Sequence, residues 1–130
     1  MVKSAIITAA GSGRRFGEVK QFKKLHGKPL YQYSLDTFIK SRLFDEIILV
    51  IPNTKQEKVQ KEIKRRYSSQ VSLVSGGPHR QDSVKNAIQN SNPNIDLVVI
   101  HDAARPFITT TLIERCIFAC ETSDGAIIAM

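Results

Sequence analysis

Three short segments of this 130-residue chain concentrate the residue types that bind phosphate and stabilise charge. The first is Ala9-Ala10-Gly11-Ser12-Gly13-Arg14-Arg15-Phe16-Gly17, with Lys20 close behind. Glycine lets backbone N–H groups approach a phosphate closely, and the forked guanidinium groups of Arg14 and Arg15 can neutralise its oxygens. The composition is that of a polyphosphate cradle. It is not a Walker loop, because no Gly-Lys-Ser/Thr follows, and it is not the dinucleotide fingerprint, because the third glycine comes one residue late. A purely structural turn is the competing reading, and the arginine pair with Lys20 weighs against it.

The second segment is Gly76-Gly77-Pro78-His79-Arg80-Gln81-Asp82-Ser83. By itself it reads as an ordinary turn, with Ser83 as a helix cap. The third is His101-Asp102-Ala103-Ala104-Arg105-Pro106. Asp102 and Arg105, separated by small residues, leave room for a ligand, although the two can also pair with each other. His101 reads as a hydrogen-bonded structural histidine and receives no role.

The elements that position these segments follow from hydrophobic patterning. Strands are expected at Ser4–Thr8, Ile47–Ile51, Val71–Val74 and Leu97–Ile100, with a fifth beginning at Gly125–Met130. Helices are expected from Pro29 to about Lys40, over Lys55–Tyr67, from near Ser83 with Val84, Ala87 and Ile88 on one face, and from Thr111 through Cys120 on capping-box spacing. The order βαβαβαβαβ predicts an α/β fold: a mostly parallel, Rossmann-like sheet with helices on both faces. Ligands of such sheets bind beyond the carboxyl ends of the strands. All three segments fall there.

Composition narrows the class. At 42% hydrophobic and 24% charged, the chain has the profile of one globular domain. The net charge of +7 suits a polyanionic ligand, but much of it lies in Lys55–Arg66, where lysines and arginines surround an apolar stripe of Val59, Ile63 and Tyr67. That is a solvated helix, and without an accompanying recognition motif no nucleic acid is expected as a partner. The longest apolar runs fall far short of a membrane span, and no secretory signal opens the chain, so a cytoplasmic location without membrane contact is expected. Cys116 and Cys120 lack metal-site spacing and are expected in the core; no protein metal site is predicted.

Taken together, Ala9-Ala10-Gly11-Ser12-Gly13-Arg14-Arg15, Lys20-Gln21-Phe22, Gly76-Gly77 with Arg80 and Ser83, and His101-Asp102-Ala103-Ala104-Arg105-Pro106 resemble the 2-C-methyl-D-erythritol 4-phosphate cytidylyltransferases. The resemblance runs the length of the chain. Ribitol-5-phosphate cytidylyltransferases are the nearest competitor, usually with Ser-Val where this chain has Ala103-Ala104. The resemblance implies residues 1–130 to be the nucleotide-binding part of a nucleotidyltransferase-type domain, incomplete at its C-terminus, with a homodimer as the complete enzyme. It implies cytidylyl transfer from CTP to methylerythritol phosphate, with Mg²⁺ bound through the triphosphate. It assigns Arg15 and Lys20 to catalysis on the triphosphate, Ala9, Ala10, Gly11, Ser12, Gly13 and Arg14 to the nucleotide, and Gly77 and Ser83 to the cytosine. Asp102, Ala103 and Arg105 form the remaining binding group, with Asp102 and Arg105 near the sugar phosphate. A CTP-binding fragment with little turnover is the alternative outcome. Two departures stand out: the stretch between the arginine pair and Lys20 is short, and Pro78 replaces an aspartate of some relatives.

Overall fold

The computed structural model describes residues 1–10, 14–15, 18–19 and 22–121. In chain order the elements are β1 (Lys3–Thr8), β2 (Arg14–Arg15), β3 (Glu18–Val19), β4 (Lys24–Leu25), β5 (Lys28–Pro29), α1 (Leu30–Ser41), β6 (Glu46–Ile51), a 3-10 turn (Asn53–Lys55), α2 (Gln56–Tyr67), β7 (Ser72–Ser75), α3 (Arg80–Gln89), β8 (Leu97–Asp102) and α4 (Thr110–Glu121).

The four long strands form one parallel sheet in the order β7-β6-β1-β8. Ile6 of β1 stands opposite Ile48 of β6 on one side and Ile100 of β8 on the other. The winding therefore runs outward from β1 through β6 to β7, then returns to place β8 on the opposite flank of β1. Parallel α/β sheets take their ligands beyond the carboxyl ends of the strands at such a reversal, which here falls between β1 and β8.

Side-chain alternation divides the core. Ala5, Ile7, Leu49, Ile51 and Val99 face α1, α2 and α4, meeting Tyr31, Leu35, Phe38, Val59, Ile63, Tyr67, Ile113 and Ile117. Ile6, Ile48 and Val50 face the other way, onto Ala87 of α3. Helices thus cover both faces, as expected, with three on one side and one on the other among the described residues. Each fully buried Ile, Leu or Phe contributes about 1.5–3 kcal/mol through removal of apolar surface from water.

Charged α2 behaves as its pattern predicts. Val59, Ile63 and Tyr67 are buried, while its lysines and arginines point to solvent. Side chains also tie it to α1: Glu62 accepts a hydrogen bond from Tyr31 Oη, and Asp36 accepts from Arg66 Nη2 at 3.0 Å and Tyr67 Oη at 2.7 Å, and from Lys28 of β5. Burial alone would raise the Asp36 carboxyl, but these three donors outweigh it and hold its pKa below the ordinary value.

Several boundaries differ from expectation. Pro29 caps α1 instead of opening it, and its extended backbone belongs to β5. The third helix starts at Arg80, three residues before Ser83, because His79 is the cap and Asp82 reaches back to accept its N–H at 3.2 Å. The fourth starts at Thr110, and Thr109 Oγ1 accepts the Leu112 N–H, so Thr111 is not the cap. Ile88 is 47% exposed; Ser83 and Ala87 are the buried face of α3. Cys116 and Cys120 are half-buried, and Ile113 and Ile117 carry the core contact of α4. The β2–β3 and β4–β5 hairpins had no counterpart in the hydrophobic pattern. The expected fifth strand at 125–130 lies outside the described residues.

Candidate active site at the carboxyl edge of the sheet

Backbone hydrogen bonds carry the sheet's order into the loops that follow. Ala9 N–H donates to Val50 C=O at 2.7 Å, Gly76 N–H to Ile51 C=O at 2.9 Å, and Ala103 N–H to Thr8 C=O at 2.9 Å. Each of the three loops is thereby anchored to the neighbouring strand before it departs. Thr8 adds a side-chain tie between β1 and β8, its Oγ1 donating to His101 C=O at 3.3 Å.

The first and second loops touch. A methyl group added to Gly76 would lie 2.2 Å from Ala10 Cβ and 2.8 Å from Ser83 Oγ, so only glycine lets the backbone pass between them. Gly77 is equally confined, since an added Cβ would sit 2.4 Å from Asp82 Cβ. Ser83 is buried, and its Oγ accepts the Gly77 N–H at 3.2 Å while donating to His79 C=O at 3.4 Å. The Ser83 hydroxyl therefore shapes the glycine loop from inside. Asn86 supports the loop's other end by donating Nδ2 to Ser75 C=O.

The third loop is a closed turn. Arg105 N–H donates to Asp102 C=O at 3.0 Å, and Asp102 Oδ1 accepts the Ala104 N–H at 2.9 Å. Ala103 is fully buried in the core, as is Ala9 on the first loop, and with their N–H groups bound to Thr8 and Val50 they fix the backbone at the start of each loop. His101 is buried, with Nε2 3.0 Å from Arg105 C=O and its ring 5.5 Å from that of Phe38. Burial pushes its imidazole below the ordinary value; the Arg105 carbonyl and the Asp102 charge oppose this, while Arg105 and Arg80 reinforce it.

Of the residues singled out in the sequence, the structure places Ala9 and Ala10 directly after β1, Gly77 after β7, Ser83 at the start of α3, Asp102 at the end of β8, and Ala103 and Arg105 just beyond it. Arg14 and Arg15 form β2, paired antiparallel with Val19 and Glu18, so the arginine pair sits on a small hairpin arm directly after the first loop. Gly11, Ser12, Gly13 and Lys20 lie outside the described residues. Two further residues touch this edge: Thr8, through His101 C=O, and Ser34 of α1, whose Oγ donates to Arg105 C=O. Thr8, a polar residue directly after the apolar run Ala5-Ile6-Ile7, was a usable signal; Ser34, in the middle of a helix, offered none.

Among the described residues no three His, Cys, Asp or Glu side chains converge as a metal cage, and no helix is long and apolar enough to cross a membrane.

Comparison with known proteins supplies the family and supports the fold. The chain is 40% identical over 117 residues to the 2-C-methyl-D-erythritol 4-phosphate cytidylyltransferase of Clostridium beijerinckii, covering 88% of this chain and 51% of that protein. It is 47% identical over 106 residues to the enzyme of the same description from Aquifex aeolicus, covering 82% of this chain and 45% of that one. The chain spans about half the length of the curated relatives it matches. Among solved structures, the 4-diphosphocytidyl-2C-methyl-D-erythritol synthase of Anaerococcus prevotii superimposes with a TM-score of 0.80 at 33% identity, over 92% of this chain and 51% of that chain. The Francisella tularensis 2-C-methyl-D-erythritol 4-phosphate cytidylyltransferase gives a TM-score of 0.73 at 31% identity, over 95% and 54%. With the family's sequence model matching residues 3–130, and the motif-bearing loops anchored along one edge of the sheet, the chain belongs to the 2-C-methyl-D-erythritol 4-phosphate cytidylyltransferase family.

Proposed function

We propose that the site takes CTP and 2-C-methyl-D-erythritol 4-phosphate and yields 4-diphosphocytidyl-2-C-methyl-D-erythritol and pyrophosphate. One observation carries this reading: in a chain of this family, the loops after β1, β7 and β8 are anchored at one carboxyl edge, with Gly76 pressed against Ala10 and Thr8 bound to His101.

The chemistry asks little of a base. A phosphate monoester is already ionised near neutral pH, and its oxygen can attack the α-phosphorus of CTP directly. A new P–O bond forms there as the bond to the departing pyrophosphate breaks. What must be supplied is relief of repulsion between two anions and stabilisation of the charge that develops. Arg15 and Lys20 are assigned that role. The backbone from Ala9 to Gly13, with Arg14, surrounds the nucleotide, Gly77 and Ser83 lie at the cytosine, and Asp102 and Arg105 at the sugar phosphate, with Ala103 fixing the backbone between them.

Mg²⁺ belongs to the same proposal. The ion would arrive on the triphosphate, whose oxygens Arg15 and Lys20 would share. Bound there, it would neutralise phosphate charge. A cytoplasmic location and a homodimer for the complete enzyme extend the proposal by family resemblance.

Thermal shift tests the nucleotide assignment. CTP with Mg²⁺ should raise the melting temperature more than ATP or GTP, and Arg15→Ala should weaken CTP binding by about 1.5–3 kcal/mol, as expected for a hydrogen-bonded charged partner. Equal shifts with every triphosphate would remove the cytosine assignment.

A further inference from the structure

The carbonyl oxygen of Arg105 is held by buried side chains from two different elements. Ser34 of α1, fully buried, donates Oγ–H to it at 3.3 Å, and His101 Nε2 at the end of β8 lies 3.0 Å away. A carbonyl only accepts, so Nε2 must carry the proton, and the neutral ring is then the Nε2–H tautomer. One donor would satisfy this part-buried carbonyl; two, converging from α1 and β8, fix its direction as well.

The other side of Arg105 is equally constrained. Its N–H is bound to Asp102 C=O, and Pro106 follows with a backbone torsion locked by its ring. Both peptide groups flanking the Arg105 Cα are therefore fixed, and so is the direction in which its side chain departs. The imidazole that does half of this holding is braced by the Phe38 ring from α1, and its own carbonyl is bound by Thr8 from β1.

We propose that Ser34 and His101 are positioning residues, which aim Arg105 at the phosphate of the acceptor sugar without touching it. The proposal rests on the reading of Arg105 given above. It makes the acceptor phosphate, not CTP, the ligand that responds when either donor is lost. Charged groups facing the imidazole are Asp102 and Arg105 on its own loop and Arg80 from α3.

The test is a calorimetric titration of the CTP- and Mg²⁺-loaded chain with 2-C-methyl-D-erythritol 4-phosphate, comparing wild type with Arg105→Ala, His101→Phe, His101→Gln and Ser34→Ala. Phenylalanine keeps the ring against Phe38 but removes the donor; glutamine restores an N–H at similar reach. Arg105→Ala should abolish most sugar-phosphate affinity. His101→Phe should weaken it about five- to tenfold, the worth of one hydrogen bond, while leaving CTP affinity unchanged. His101→Gln should recover most of the loss, and Ser34→Ala should show a smaller loss in the same direction. His101→Phe combined with Arg105→Ala should bind no more weakly than Arg105→Ala alone. If Arg105→Ala loses affinity while His101→Phe and Ser34→Ala do not, the positioning role is overturned and the functional reading stands. A loss of CTP and sugar phosphate alike, unrescued by glutamine, overturns it too. If Arg105→Ala binds as wild type, both fall together.

Discussion

Gly76 and Ala10 meet so closely that a single methyl group on the glycine would stand 2.2 Å from the Ala10 Cβ. The contact joins the loop after β7 to the loop after β1, across the carboxyl end of β6. Gly76→Ala should therefore push the two loops apart. The expected cost is about 1–3 kcal/mol in denaturant unfolding, the range for an extra methyl forced into a packed site. CTP-induced thermal stabilisation should fall with it. A variant as stable and as responsive to CTP as wild type would mean that the two loops do not act as one site.

Ser83 gives a separate prediction about the same loop. Its hydroxyl accepts the Gly77 N–H and is buried, so Ser83→Ala leaves that donor without its partner, at a cost of about 1–3 kcal/mol. Ser83→Cys should not restore it, because sulfur is a weak acceptor. Amide hydrogen exchange at Gly77 is the measurement. Unchanged protection in the alanine variant would show that the loop holds its shape without the hydroxyl.

Acid stability should depend on Asp36. Its folded pKa lies below the ordinary 3.8 because Lys28, Arg66 and Tyr67 outweigh the effect of burial. A carboxyl depressed in the folded state stabilises fully above its unfolded value, and the contribution is lost as pH falls through the folded one. Urea midpoints measured from about pH 6 down to about pH 2 should fall most steeply below the ordinary value, and Asp36→Asn should flatten that fall. An equal slope in the variant would assign the acid sensitivity elsewhere.

His101 predicts a second, higher window. Burial lowers its pKa from 6.5, so the unfolded chain takes up a proton before the folded one does. Stability should begin to decline as pH drops below 6.5 and go on declining until the folded value is passed. His101→Phe should remove this slope while leaving the Asp36 window in place. Nitrogen-15 chemical shifts of the ring would report both the depressed titration and the Nε2–H tautomer.

The sheet was legible chiefly through its central strands, which carry continuous apolar runs: Ile47–Ile51 read as a buried parallel strand and is one. The amphipathic stripe of α2 was equally clear, since Val59, Ile63 and Tyr67 recur at helical spacing between charges. The β4–β5 hairpin was not, for two physical reasons. It is two residues deep on each side, too short for alternation to show, and its turn is made by His26 and Gly27, both at positive φ, where Asn-Gly would have been the recognisable pair. The start of α4 differs by one residue because three threonines in a row, Thr109 to Thr111, offer the same capping type, whereas α3 has a cap that is not a standard one. His79 caps α3 with the help of Asp82, and nothing in its residue type announces that.

For the site, the loops were legible as glycine and charge at strand ends, but their mutual contacts were not. No periodicity predicts that Gly76 will lie against Ala10, sixty-six positions apart in the chain, or that Ser34 will hold the Arg105 carbonyl. Such contacts follow from strand order, in particular from β8 returning to the far side of β1, and order is a property of the whole sheet.

The most direct test of cytidylyl transfer is phosphorus NMR of the chain incubated with CTP, Mg²⁺ and either 2-C-methyl-D-erythritol 4-phosphate or ribitol 5-phosphate. The account predicts that the erythritol phosphate resonance is consumed while a diphosphate diester and free pyrophosphate appear in equal amounts, and that ATP does not replace CTP. Pyrophosphate release that is equal with ribitol 5-phosphate, equal with ATP, or absent with every pair would contradict it.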